Sequence, residues 1–414
     1  MTQSAFEHSK PDKKAVVSND TGVADNSRRL DEIAANEPSI TIAGRRFVFS
    51  LSEFSGALGD LGTFLPHIIG AITVVGMDPT GIFMTFGLFY AFAGGFYGIP
   101  MAVQPMKAAS AAVLIQPLDP AAVAGAGLVI GAFFLIVGAT GVIERLARVL
   151  PPTIAAGLQL GLGLSLAALG IRLIEKDIAL GIGICLVMLI LMRIPRMPVA
   201  LVAVIGSAAF GIATGLSPPF PHLDFGLHLP HFVWPTWKQV TNGVEYAVLP
   251  QIPLTLTNAI IVTAAVSRQL FGDEARHVSE RHLALTTGFG NLLAAPFGGY
   301  LMCHGAGGIT GHVRFGARTG TAPIVIGLIF VALGLLLGNS GYQLLKTIPN
   351  AALGSLLLFS GIDLALSSKP ERFRDADLFL VLLMAAIGVA VNPAAAFAVG
   401  LPLAYGVKHG WIRL

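Results

Sequence analysis

The 414-residue chain is 54% hydrophobic and 12% charged, with a mean hydropathy of +0.75 and a net charge of +3. Composition of this kind excludes an ordinary soluble domain. Long runs of Gly, Ala, Leu, Ile and Val favour many membrane helices over the alternation of a barrel, and the small net charge gives no argument for nucleic acid.

Residues 1–46 are polar and charged and lack the apolar core of a signal peptide, so they read as a disordered cytoplasmic tail. Up to fourteen apolar segments follow. Those of a first repeat, 47–215, cover 51–75, 79–97, a short 104–116, 120–143, 151–171, 178–193 and 198–215. Residues 216–244, bearing Pro and His, form an extracytoplasmic linker. A second repeat, 245–414, contains 245–267, 281–296, a short 304–313, 321–338, 347–367, 376–391 and 393–407. The last two are short, and if they form a hairpin that does not cross, twelve segments span.

Positive charge collects on the cytoplasmic side of membrane proteins, which tests this map. With the N-terminus inside, 21 of the 26 Lys and Arg lie on the cytoplasmic side. Arg172, Lys176, Lys238 and Lys346 lie opposite, Lys107 falls within a span, and both chain ends are cytoplasmic. An odd number of segments per repeat inverts the halves relative to one another. In each half the third segment is the short one, broken by Pro or Gly. Matching interruptions mark the binding site of secondary transporters built from inverted repeats. The fold class is therefore an all-α polytopic membrane protein, a 7+7 inverted repeat whose half-helices 3 and 10 meet at mid-membrane.

On the first helix Glu53, Gly56, Asp60, Thr63 and His67 recur every three or four residues and share a face. Membrane carboxylates are costly unless they face a cavity, pair, or take up a proton, so Asp60 and Glu53 are the candidates for proton coupling. The competing readings are a structural acceptor capping a neighbouring half-helix for Asp60, and an interfacial position for Glu53. Farther on, Met101-Ala102-Val103 reads as extended, and Pro105 suits a first helical turn. The amides of Met106, Lys107 and Ala108 are then unpaired at the positive end of a half-helix. Gln251, Thr255 and Asn258 share a face of the eighth helix, either to orient an anion's oxygens or to bond between helices. Pro250 and Pro253 beside Gln251 predict a kink.

In the second repeat Leu301-Met302-Cys303 mirrors the extended piece, and Gly305-Ala306-Gly307-Gly308 opens a helix with bare amides. Two such N-termini facing each other form an anion site, to which Lys107 adds a charge and Gln104 and His304 add directional donors. Close helix packing by the glycines and a snorkelling Lys107 are the bland alternatives. Arg314 and Arg318 read as neutralising a helix C-terminus at the cytoplasmic face. The two cysteines, Cys185 and Cys303, lie within spans and suggest no disulfide framework. Cys303 and His304 have no acidic or Cys neighbour in sequence to complete a metal site.

Three stretches, SEFSGALGDLGTFLP at 52–66, QPMKAASA at 104–111 and CHGAGGITGHVRFGARTG at 303–320, resemble signatures of the molybdate transporter family. That family is a branch of the sulfate permease-like anion transporters, and the resemblance covers about 47–365. It implies a core domain and a gate domain. It also implies an oxyanion site between the third and tenth helices, flanked by the first and eighth. The matching positions are Asp60, Gln104, Pro105, Lys107, His304, Gly305, Ala306 and Gly307. The wider permeases often carry a C-terminal sulfate-transporter/anti-sigma-factor-antagonist domain, which is not expected after Leu414.

The expected function is secondary active import of a tetrahedral oxyanion, molybdate first, by alternating access with a proton as co-substrate. The expected setting is a bacterial inner membrane, with a homodimer left open and no cofactor, metal or nucleic acid. Alternatives, in order, are a sulfate transporter or anion exchanger, a nucleobase or carboxylate carrier, and a passive anion channel. No nucleophile–base pair, cofactor motif or nucleotide loop points to an enzyme.

Overall fold

Backbone amides and carbonyls find no partners in hydrocarbon, so apolar runs close their hydrogen bonds within helices. The computed structural model describes residues 38–412 apart from 117, 144, 147–150 and 195–196. Among these residues fourteen helical segments follow in order. The first repeat holds α1 (51–73), α2 (Pro79–Tyr97), α3 (Lys107–Ile115), α4 (Pro120–Thr140), α5 (Pro152–Ile174), α6 (Ile178–Leu191) and α7 (Val199–Thr214). The second holds α8 (237–271), α9 (Glu280–Ala294), α10 (Ala306–Arg314), α11 (Thr321–Leu345), α12 (Asn350–Leu366), α13 (Asp375–Ala390) and α14 (Pro393–Lys408). Side-chain caps explain several starts: Asp78, Asp119, Asp177 and Asn392 accept from the first-turn amides of α2, α4, α6 and α14.

Four features depart from the sequence reading. Residues 39–46 are not the end of a disordered tail: β1 (Ser39–Ile42) pairs antiparallel with β2 (Arg45–Val48). Ala43 and Gly44, with φ of 49° and 74°, make the two-residue turn this hairpin needs, and Arg45 ties it to the Gly95 carbonyl. The reading of residues 1–37 lies outside the described residues. Helix α8 starts at Trp237, inside the expected linker, because Thr236 and Gln239 form a reciprocal capping box. Around Pro250 and Pro253 α8 widens into π turns at Val244–Val248 and Thr255–Val262, which absorb the missing amides. At the end of the chain α13 and α14 have 16 residues each, about 24 Å of helix, and pack together as a hairpin.

The dominant packing pairs are α2 with α11, α4 with α9, and α5 with α12. Exchanging the repeats maps α2–α11 onto α9–α4 and α5–α12 onto itself, as an internal two-fold requires. Glycines set these crossings. A Cβ on Gly87 would strike the Gly327 carbonyl and the Val331 amide, and one on Gly163 the Gly361 carbonyl and the Ala365 amide. Helices α1–α4 and α8–α11 form the core domain, and α5–α7 with α12–α14 form the gate.

Candidate functional site

Two broken helices meet back to back in the core. Their extended lead-ins, β3 (Val103–Pro105) and β4 (Met302–His304), pair antiparallel, with Gln104 opposite Cys303. Asn291 on α9 grips β4 from the far side, accepting from the Met302 amide at 3.1 Å and donating to its carbonyl at 2.6 Å. The ladder runs on through Pro105, and the Met106 amide donates to the Leu301 carbonyl at 2.9 Å. Pro105 is therefore strand rather than first helical turn, and Met106 is an N-cap with its amide already used.

The first amides of each helix, Lys107 and Ala108 on α3 and Ala306 and Gly307 on α10, have no intrahelical acceptor; Ala108 is buried, Lys107 and Ala306 are partly buried, and Gly307 is exposed. Gln251 takes the next amide of α3: its Oε1 accepts from Ala109 at 2.9 Å, while its Nε2 donates to Thr255 at 2.8 Å. Both side chains are buried as a cap on α3. Asn258 is exposed, on the π turn that packs against β4 and α10. Gly305 lies directly against the Gln104 side chain, leaving no room for a Cβ. Gly307 is exposed, and a Cβ there would meet nothing within 4 Å, so open space lies in front of α10.

Asp60, 3% exposed, sits beneath this opening. It accepts from Thr63 at 2.6 Å, from Tyr90 at 2.7 Å, and from Gln104 Nε2. A Cβ on Gly308 would come within 2.7 Å of both its oxygens, so only glycine lets α10 approach so closely. Glu53 stands apart from the site. Its carboxylate accepts the amides of Arg318, Thr319 and Ala322, holding the turn into α11.

His304 does not reach the cavity. Fully buried between Phe89 and Tyr97, it shares its Nδ1 with the Ala102 carbonyl and its Nε2 with the Thr286 hydroxyl. Both ring nitrogens are thereby committed to holding β4, and the donor expected from His304 is not offered to a ligand. Lys107 is half-buried at the opening, with its Nζ 3.6 Å from Asp363 of α12. Sequence reasoning passed over Tyr90 and Asp363. Tyr90 carries no signal among the aromatics of its helix, whereas Asp363 is the single charged residue in 347–367.

A family model described as "Molybdate transporter of MFS superfamily" matches residues 52–166 and 244–364, more than half of the chain. The chain belongs to the molybdate transporter family. Molybdate transporter 2 of Arabidopsis thaliana is 33% identical over 397 residues, covering 83% of this chain and 84% of the relative. Molybdate transporter 1 of Chlamydomonas reinhardtii is 29% identical, covering 84% and 90%. Family membership makes this chain an integral membrane transporter, not an enzyme.

Solved structures place the fold. The transmembrane domain of a cyanobacterium bicarbonate transporter, BicA, superposes with a TM-score of 0.63 at 16% identity, covering 86% of this chain and 97% of that one. Murine Slc26a9, an anion transporter solved in the inward-facing state, gives 0.65 at 15% identity over 91% and 70%. The family description names the MFS superfamily, whose halves are parallel six-helix repeats. This family member instead has two seven-helix halves that are inverted.

Proposed function

We propose that this protein imports molybdate, a tetrahedral dianion, by secondary active transport. The observation that carries the reading is the pair of half-helix N-termini, with open space before Gly307 and the half-buried ammonium of Lys107 beside them. Positive helix ends and a cation suit an anion, and tetrahedral oxygens can take several amides at once. The named relatives in a plant and an alga support molybdate over sulfate as substrate.

Alternating access follows from rocking the core, which holds the helix ends, against the gate. The bias of Lys and Arg in the sequence supports a cytoplasmic side for both chain ends, and a bacterial inner membrane is the simplest setting. A membrane potential of 100 mV, negative inside, opposes entry by about 2.3 kcal/mol per charge, or about 4.6 kcal/mol for a dianion. Accumulation therefore needs a cation, and a proton fits most simply, with Asp60 as the core carboxylate that lies against the first turn of α10.

Molybdate binding to the purified protein, and uptake into vesicles with and without an inward proton gradient, test this reading. Saturable uptake enhanced by external acid is expected, with weak competition by sulfate. Lys107→Ala removes one charge-assisted contact of about 1.5–3 kcal/mol, so binding should weaken about tenfold to a hundredfold. Absence of molybdate binding by the wild type would overturn the substrate, and uptake indifferent to the gradient would overturn the coupling.

A further inference from the structure

The cation of the site already has an anion. Lys107 belongs to α3 in the core and Asp363 to α12 in the gate, and their 3.6 Å contact is, among the described residues, the ion pair that bridges the two domains. One helical turn away a second polar contact crosses the same boundary. His67 of α1 shares Nδ1 with Ser110 of α3 at 2.8 Å and Nε2 with Ser360 of α12 at 3.0 Å. Ser110 follows Lys107 by three residues and Ser360 precedes Asp363 by three, so the two contacts form one seam.

The two partners at this seam differ in exposure. The Lys107 side chain is 25% exposed and held by its helix, whereas that of Asp363 is 66% exposed. Most of the carboxylate's surface is clear of packing, so it can swing aside without disturbing neighbours, while the ammonium stays beside the helix ends. A dianion arriving at those ends needs the same ammonium and repels the carboxylate.

We propose that Asp363 is a built-in competitor of the substrate: it occupies Lys107 in the empty site and ties core to gate, and the incoming oxyanion displaces it. The proposal rests on Lys107 being an anion ligand. Binding energy then goes partly into breaking a contact between domains, so occupancy of the site is what frees the core to move. Removing the competitor makes a tighter binder without making a faster transporter.

The experiment is equilibrium binding of molybdate to purified full-length protein, with uptake measured in parallel. The proteins are the wild type, Asp363→Asn, Asp363→Ala, Asp363→Glu, Lys107→Ala, and Lys107→Ala combined with Asp363→Asn. Two neutral replacements at an exposed position guard against misfolding of either. Loss of an ion pair of this exposure predicts about fivefold tighter binding for Asp363→Asn and Asp363→Ala. Asp363→Glu should stay within about twofold of wild type. In the Lys107→Ala background the gain should fall below about twofold, the part left by direct repulsion. Unchanged or weaker binding in both neutral variants would overturn the proposal, as would an undiminished gain without Lys107. Failure of the wild type to bind molybdate would instead bring down the reading of Lys107 itself, and a binding wild type keeps the two failures distinct.

Discussion

Glu53→Gln separates a carboxylate that holds a helix end from one that carries a proton. Oε1 accepts from the Arg318 amide at 2.8 Å and the Thr319 amide at 2.9 Å, and Oε2 accepts from Ala322 at 3.2 Å. Glutamine can keep both bonds at Oε1, but it turns an NH2 group toward the Ala322 amide. One buried donor loses its acceptor, at a cost of about 1–3 kcal/mol. Loss of negative charge beside the first turn of α11 adds about 0.3–1 kcal/mol. Glu53→Ala strips all three amides and should cost at least about 3 kcal/mol. Thermal unfolding of the purified proteins should therefore rank wild type above Gln and Gln above Ala. Uptake per folded molecule should depend on the proton gradient as it does in wild type. A Glu53→Gln protein as stable as wild type, with uptake indifferent to the gradient, would refute this reasoning and make Glu53 the coupling group.

Two glycines side by side should respond in opposite ways. Gly308→Ala drives a methyl group into Ala102 and both Asp60 oxygens, and should weaken molybdate binding at least about tenfold. Gly307→Ala projects into open space and should stay within about threefold; equal effects would mean the cavity is misplaced. Tyr90→Phe removes one of the three donors to Asp60 and should lower stability by about 1–2 kcal/mol in thermal unfolding. Gly163→Val overpacks the α5–α12 crossing within the gate, costing at least about 1–3 kcal/mol, and should reduce the yield of monodisperse protein while Asp60 and Lys107 stay in place.

Much of the architecture was legible because hydrocarbon allows so few solutions. Unbroken apolar runs gave the spans, and the Pro and Gly interruptions at 105 and 305 disclosed the half-helices without any tertiary information. What escaped was the choice of partner. Nothing near Pro105 in sequence says that a strand about two hundred residues away will pair with it, so the start of α3 was placed too early. In sequence, His304 and Gln251 read as polar groups available to an anion. Whether each turns toward a ligand or toward a neighbouring backbone depends on Ala102, Thr286 and Ala109, and only the packed structure supplies them. Glu53 shows the same limit, because a membrane carboxylate looks alike in sequence whether it holds three amides or a proton. Asp363 was readable as a lone charge in an apolar span and lacked only the address of Lys107.

The β3–β4 pairing has a consequence for selectivity. The Met106 amide is fastened to Leu301 and Asn291 clasps Met302 by both backbone groups, which ties the lead-ins of α3 and α10 together and resists their parting or closing like jaws. On the reading proposed above, an oxyanion would meet helix ends whose spacing is set beforehand by this ladder. On that reading, molybdate and its smaller tetrahedral analogues would be told apart by how well they span that spacing, and not by how far the protein shuts around them. Changes along the ladder should therefore alter which oxyanion is accepted more than changes elsewhere in the core do.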